Sequence, residues 1–136
     1  MRAAEAEAGS LQKHMLGSYV SLRKGIAVIG AALPVLLWLG DYALDRTALR
    51  ASMSVYYYSR MGDVFVGALI SIGLFLYLYK GFSTRENWAL NVGGALAVSV
   101  ALLPTSPISG GHTSTSTLHG TFAVLFFLCI ASTKLA

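Results

Sequence analysis

Tyr56-Tyr57-Tyr58-Ser59-Arg60-Met61-Gly62-Asp63 runs directly into sixteen uncharged, mostly apolar residues, Val64 to Tyr79. Clustered aromatics of this kind mark a membrane–water boundary, where amphipathic rings settle at headgroup level. Arg60 and Asp63 then stand at the mouth of a helix that has to cross hydrocarbon. Ionisable groups at that depth are costly and often functional.

Outward from this segment, three more runs lack Asp, Glu, Lys and Arg: Gly25 to Gly40, Trp88 to Leu103, and Leu118 to Ser132. The 136 residues are 55% hydrophobic and 12% charged, against about 25% charged in a soluble domain. One such run would suit the buried helix of a soluble protein. Four do not, because a small globule has too much surface to bury four helices apolar all round. The expected fold is therefore all-α, an integral membrane bundle of four transmembrane helices, up-and-down. A polar segment, residues 1–24, precedes a transmembrane domain, residues 25–136, with helices near 25–44, 62–80, 87–103 and 116–133.

The net charge of +4 does not imply nucleic acid, because the basic residues sit singly or in pairs beside the apolar runs. That is the pattern of topology signals rather than of a phosphate-binding stripe. Arg2, Lys13, Arg23, Lys24, Lys80, Arg85 and Lys134 fall on one side, and Arg46, Arg50 and Arg60 on the other. Seven against three orients both termini to the cytoplasm. The first 24 residues hold Glu5, Glu7, Gln12, Lys13 and His14 and do not read as a secretory signal. Cys129 is the only cysteine and reads as a small packing residue.

Each run spans roughly 24 Å as helix, against a hydrocarbon core of about 30 Å. The flanks must therefore be drawn towards membrane depth, where polar groups should face other helices. Small residues at four-residue spacing suggest packing seams: Gly93, Ala97 and Ala101 in the third run, Gly67 and Ser71 in the second, Ala27 and Ala31 in the first. Pro34 should kink the first helix, Pro104 and Pro107 close the third, and Asn87 is a candidate cap for its start.

Topology collects Asp41, Asp45, Arg60, Asp63, His112 and His119 at one end, the outer pole. Asp41, Arg60, Asp63, His112 and His119 are the candidate ligand-binding set. Asp41 and Asp45 are four apart and share a helix face, with Arg46, Arg50 or Arg60 as available partners. Asp63 sits where an N-cap belongs and complements the helix dipole; Arg60 pairs with it or snorkels to phosphates. Carboxylates and two imidazoles could hold a zinc ion with a position open for water. No dedicated spacing such as H-E-x-x-H is present, and the hydroxyl-rich loop Ser106 to Thr117 around His112 holds neither G-x-S-x-G nor S-x-x-K.

The stretch Ser54 to Gly67, with Tyr79-Lys80-Gly81 and Ala101-Leu102-Leu103-Pro104-Thr105, resembles a family of uncharacterised bacterial multipass inner-membrane proteins. The resemblance covers roughly Gly25 to the C-terminus and implies a helical bundle in the inner membrane, with no catalytic residues to carry over. Members of that family continue past the helix near His119 with further spans, so a shortened version or a piece of a larger bundle is expected. The expected function is non-enzymatic, with a small ligand, ion or partner protein bound at the outer pole. No cofactor is assigned, and a homo-oligomer is compatible. The alternatives are a zinc-dependent hydrolase acting on lipid at the same pole and a transporter subunit.

Overall fold

α1 (Arg2–Asp45) is one continuous helix of 44 residues, about 66 Å long. The computed structural model describes residues 2–106, 111 and 113–133. A short 3₁₀ helix, Met53–Tyr58, follows, then α2 (Gly62–Leu78), α3 (Thr84–Leu102) and α4 (Ser114–Ser132). No strand occurs among the described residues. α1 reaches back to Arg2, well before the expected start near Gly25. Ala, Glu, Leu, Gln and Lys dominate that stretch, and single glycines cost a helix only about 1 kcal/mol.

Packing follows chain order: α1 lies on α2, α2 on α3, and α3 on α4. α1 runs antiparallel to α2, with Gly25 against Phe75 and Gly40 against Met61. Tyr19 meets Tyr79 edge to face at 6.0 Å, so the part of α1 before Tyr19 extends beyond the end of α2. The face of α1 turned to the bundle carries Tyr19, Leu22, Ile26, Ile29, Leu33 and Leu37, spaced three or four apart as one helix face requires. Ala27 and Ala31, the expected seam, are exposed.

A close backbone approach joins α2 to α3. A Cβ on Gly73 would lie 2.7 Å from the Gly94 carbonyl, and one on Gly94 would lie 2.6 Å from that of Gly73. Gly93, Ala97 and Ala101 are buried as their spacing suggests, and Cys129 packs over Gly93. Gly67 faces open space, so on α2 the small residue that matters is Gly73. The reason is register, since Gly73 is opposite Gly94 and Gly67 has no helix opposite it.

Helix ends carry local solutions. Ser83, not Asn87, caps α3 by accepting from the Glu86 N–H, while Glu86 Oε2 accepts from the Phe82 N–H at 2.9 Å. Thr113 and Ser116 form a capping box at α4. α3 ends at Leu102, just before Pro104. Pro107 lies outside the described residues. α1 continues through Pro34, which leaves the Gly30 carbonyl without its usual donor.

Among the described residues two helices, α1 and α4, are long and apolar enough to cross a membrane; α2 is apolar but shorter, at 17 residues. The bundle's exterior is itself apolar. Val28, Val35, Leu36 and Leu39 on α1, Leu74 and Leu78 on α2, and Val124, Phe127 and Leu128 on α4 are all exposed.

Candidate functional site

Asp41 occupies the next position on the α1 face that carries Leu33 and Leu37, so its carboxylate is directed into the bundle and is 1% exposed. An ionised carboxylate in that position needs partners. The chain supplies them by turning sharply. Arg46 takes a left-handed conformation at φ 53°, a geometry more usual for glycine after a helix. The turn brings the following loop back over the end of α1. Thr47 Oγ1 then donates to Asp41 Oδ2. Arg50 closes a fork, Nε to Oδ2 at 2.7 Å and Nη2 to Oδ1 at 3.0 Å.

The Arg50 guanidinium also lies 5.6 Å from the centre of the Tyr56 ring, a cation–π distance. Its hydrogen bond to Asp41 raises the Arg50 pKa, against the opposing effect of burial, and the side chain stays cationic. Tyr56 is buried with Leu33, Leu37 and Phe65. It is a core residue rather than part of an aromatic belt, and its hydroxyl has no partner among the described residues.

His119 forms a second closure. It is 3% exposed, with Nδ1 2.7 Å from the Leu103 carbonyl oxygen and Nε2 2.9 Å from Ser54 Oγ. A carbonyl only accepts, so Nδ1 carries the hydrogen, and Nε2 is paired with the Ser54 hydroxyl. One imidazole thereby ties α4 to the end of α3 and to the 3₁₀ helix. Tyr58 adds a parallel link, its hydroxyl donating to the Thr105 carbonyl at 2.6 Å. Gly62 completes the turn into α2, because a Cβ there would lie 2.5 Å from the Tyr57 carbonyl oxygen.

The candidate residues are thus distributed rather than gathered. Asp41 and His119 each sit in a separate closed network. Arg60 pairs with Asp45 at 3.2 Å, not with Asp63, and this pair is largely solvated. Asp63 is exposed in the first turn of α2, whose cap position is Met61; its carboxylate complements the helix dipole without capping it. His112 lies outside the described residues. Among the described residues no group of three His, Cys, Asp or Glu side chains is arranged to hold a metal ion.

Arg50 and Arg60 were legible as partners for Asp41 and Asp45, because they are the cations of the same loop. Thr47 and Ser54 were not. Nothing in the sequence marks Ser54 as the partner of a histidine 65 residues later. The networks described here stand on the chain's own geometry: no protein-family model, known protein or solved structure matches it.

Proposed function

We propose that this chain is a non-enzymatic integral membrane protein that crosses the bilayer four times. The pole carrying the Asp41–Arg50 and His119–Ser54 networks, the clasp pole, faces the outside of a bacterial inner membrane, with both termini cytoplasmic. Its exposed rim, Asp45, Arg60 and Asp63, is the part open to a small ligand, ion or partner protein. The compartment rests on the family resemblance, and the orientation on the lysine and arginine balance.

The observation that carries the non-enzymatic reading is saturation. Both carboxylate oxygens of Asp41 and both ring nitrogens of His119 are engaged inside the chain. With Asp41 1% and His119 3% exposed, neither residue presents its polar atoms to a substrate outside the chain. Support for the four spans comes from the packing order. α2 and α3 lie between α1 and α4, the two helices long and apolar enough to span, so the inner pair has to share their depth. The 19 residues of α3 and of α4 give about 28 Å each, close to a hydrocarbon core of about 30 Å.

Two measurements test this. In a Cys129→Ala background, Ser52→Cys and Gly111→Cys should react with an impermeant maleimide on intact cells, and Phe82→Cys only after lysis. The reverse pattern overturns the orientation, and recovery in the soluble fraction overturns the membrane assignment. Asp41→Asn and His119→Ala should each lower the melting temperature in detergent. Residues retained for catalysis usually leave stability unchanged or raise it when replaced, and that outcome would sink the non-enzymatic reading.

A further inference from the structure

Opposite the clasp, at the open pole, all four helices contribute to one cleft of about 500 Å³. Arg23 and Ile26 come from α1, Leu76 from α2, Glu86 and Leu90 from α3, and Ile130 from α4. The lining is sorted along the bundle axis. Arg23 precedes Ile26 on a helix that enters the bundle from this pole, and Glu86 precedes Leu90 on another that starts there. Each charge therefore lies nearer this pole than the aliphatic residue that follows it, Ile26 on α1 and Leu90 on α3, and Leu76 and Ile130 complete the aliphatic lining.

We propose that this cleft holds one glycerophospholipid with a phosphoethanolamine headgroup, an inference that rests on the four-span reading. The acyl chain fills the aliphatic part, and the headgroup meets both charges. Arg23 makes no ion pair among the described residues, and its guanidinium matches the phosphate. Glu86 spends Oε2 on the Phe82 N–H, leaving Oε1 for the primary ammonium. Phe82, 90% exposed, precedes α3, and Trp88, 68% exposed, lies in the first turns of α3 on the face away from Glu86 and Leu90. Aromatic rings so placed belong at headgroup level, which sets the charged end of the cleft at the same height. Lys24 and Lys80, also exposed near this end, strengthen the pull on the phosphate.

The headgroup choice follows from the pair of charges. A purely anionic headgroup satisfies Arg23 but is repelled by Glu86. A quaternary ammonium carries no N–H to donate to the carboxylate. A soluble phosphate compound leaves the aliphatic part of the cleft bare.

The test is native mass spectrometry of the protein released from nanodiscs containing equal parts phosphatidylethanolamine, phosphatidylglycerol and phosphatidylcholine. Phosphatidylethanolamine should be retained several-fold above the other two. Arg23→Gln should reduce retention of every phospholipid to background. Glu86→Gln, which keeps an acceptor for Phe82, should retain lipid but lose the preference over phosphatidylcholine. Ala27→Trp, which fills the cleft from an exposed position on α1, should also abolish retention with both charges intact. Retention in bulk proportion, or enrichment of phosphatidylglycerol, overturns the proposal. So does soluble phosphoethanolamine that raises the melting temperature as much as the lipid does. A protein absent from membranes fails the four-span reading before any lipid is counted, whereas an embedded protein with bulk lipid fails only this one.

Discussion

The two poles solve the problem of charge at a bundle end in opposite ways. At the clasp pole, the loop after α1 folds back and neutralises the buried Asp41 with Arg50, and His119 is locked between Ser54 and Leu103. At the open pole, Arg23, Lys24 and Lys80 make no ion pair among the described residues, and a cleft separates the helices. The difference teaches that burial, not the number of charges, decides which residues must be paired. Asp41 is sealed by protein and has to find an internal partner. The cations of the open pole stay in reach of solvent or headgroups and need none.

The hardest test of that contrast is Arg50→Ala, which leaves the Asp41 carboxylate buried and alone. A loss of about 3–5 kcal/mol is expected, read as a fall in the denaturation midpoint in detergent. Arg23→Ala at the open pole should change it by less than about 0.5 kcal/mol. The double variant Asp41→Asn/Arg50→Gln should recover much of the loss. Equal effects of Arg50→Ala and Arg23→Ala would erase the distinction between the poles.

His119→Ala comes next, at about 2 kcal/mol, because it strands the half-buried Leu103 carbonyl and Ser54 hydroxyl together. Gly62→Ala should cost about 1–3 kcal/mol, since its methyl group would meet the Tyr57 carbonyl. Gly67→Ala, with nothing within 4 Å, should instead stabilise by about 0.5–1 kcal/mol through helix propensity. At the clasp pole the smallest loss is that of Arg60→Ala, less than about 1 kcal/mol, because its pair with Asp45 is solvated. Thermal unfolding of the three glycine and arginine variants side by side ranks them. A costly Arg60→Ala would mean that the rim is part of the clasp.

Several elements were readable from residues alone because their causes are local. Apolar runs set the helices, Pro104 helped end α3, and the small-residue stripe of Gly93, Ala97 and Ala101 marked a buried face. Asp41 and Asp45 found their cations within the next loop, where few other partners existed. The seam on α2 was misplaced because Gly67 and Gly73 are equivalent in composition and differ only in what stands opposite. The length of α1 was misjudged for a different reason. Its first half is polar, and polarity argues against burial without arguing against helix. The unity of Asp41, Arg60, Asp63 and His119 as one site was read from topology, which brings residues to one pole but does not fix which neighbours their side chains meet.

By itself, the sequence determined that this protein carries four apolar runs with its charges confined to the segments outside them, because hydrophobicity and helix punctuation act over a few residues. Only the tertiary structure decided that Asp41 is sealed by Arg50 while Asp45, one turn away, faces water with Arg60. It also decided that Tyr56 is core, and that His119 closes on Ser54 across 65 residues. Those outcomes depend on which surfaces are covered when the helices pack, and burial is a property of the assembled chain rather than of any segment of it.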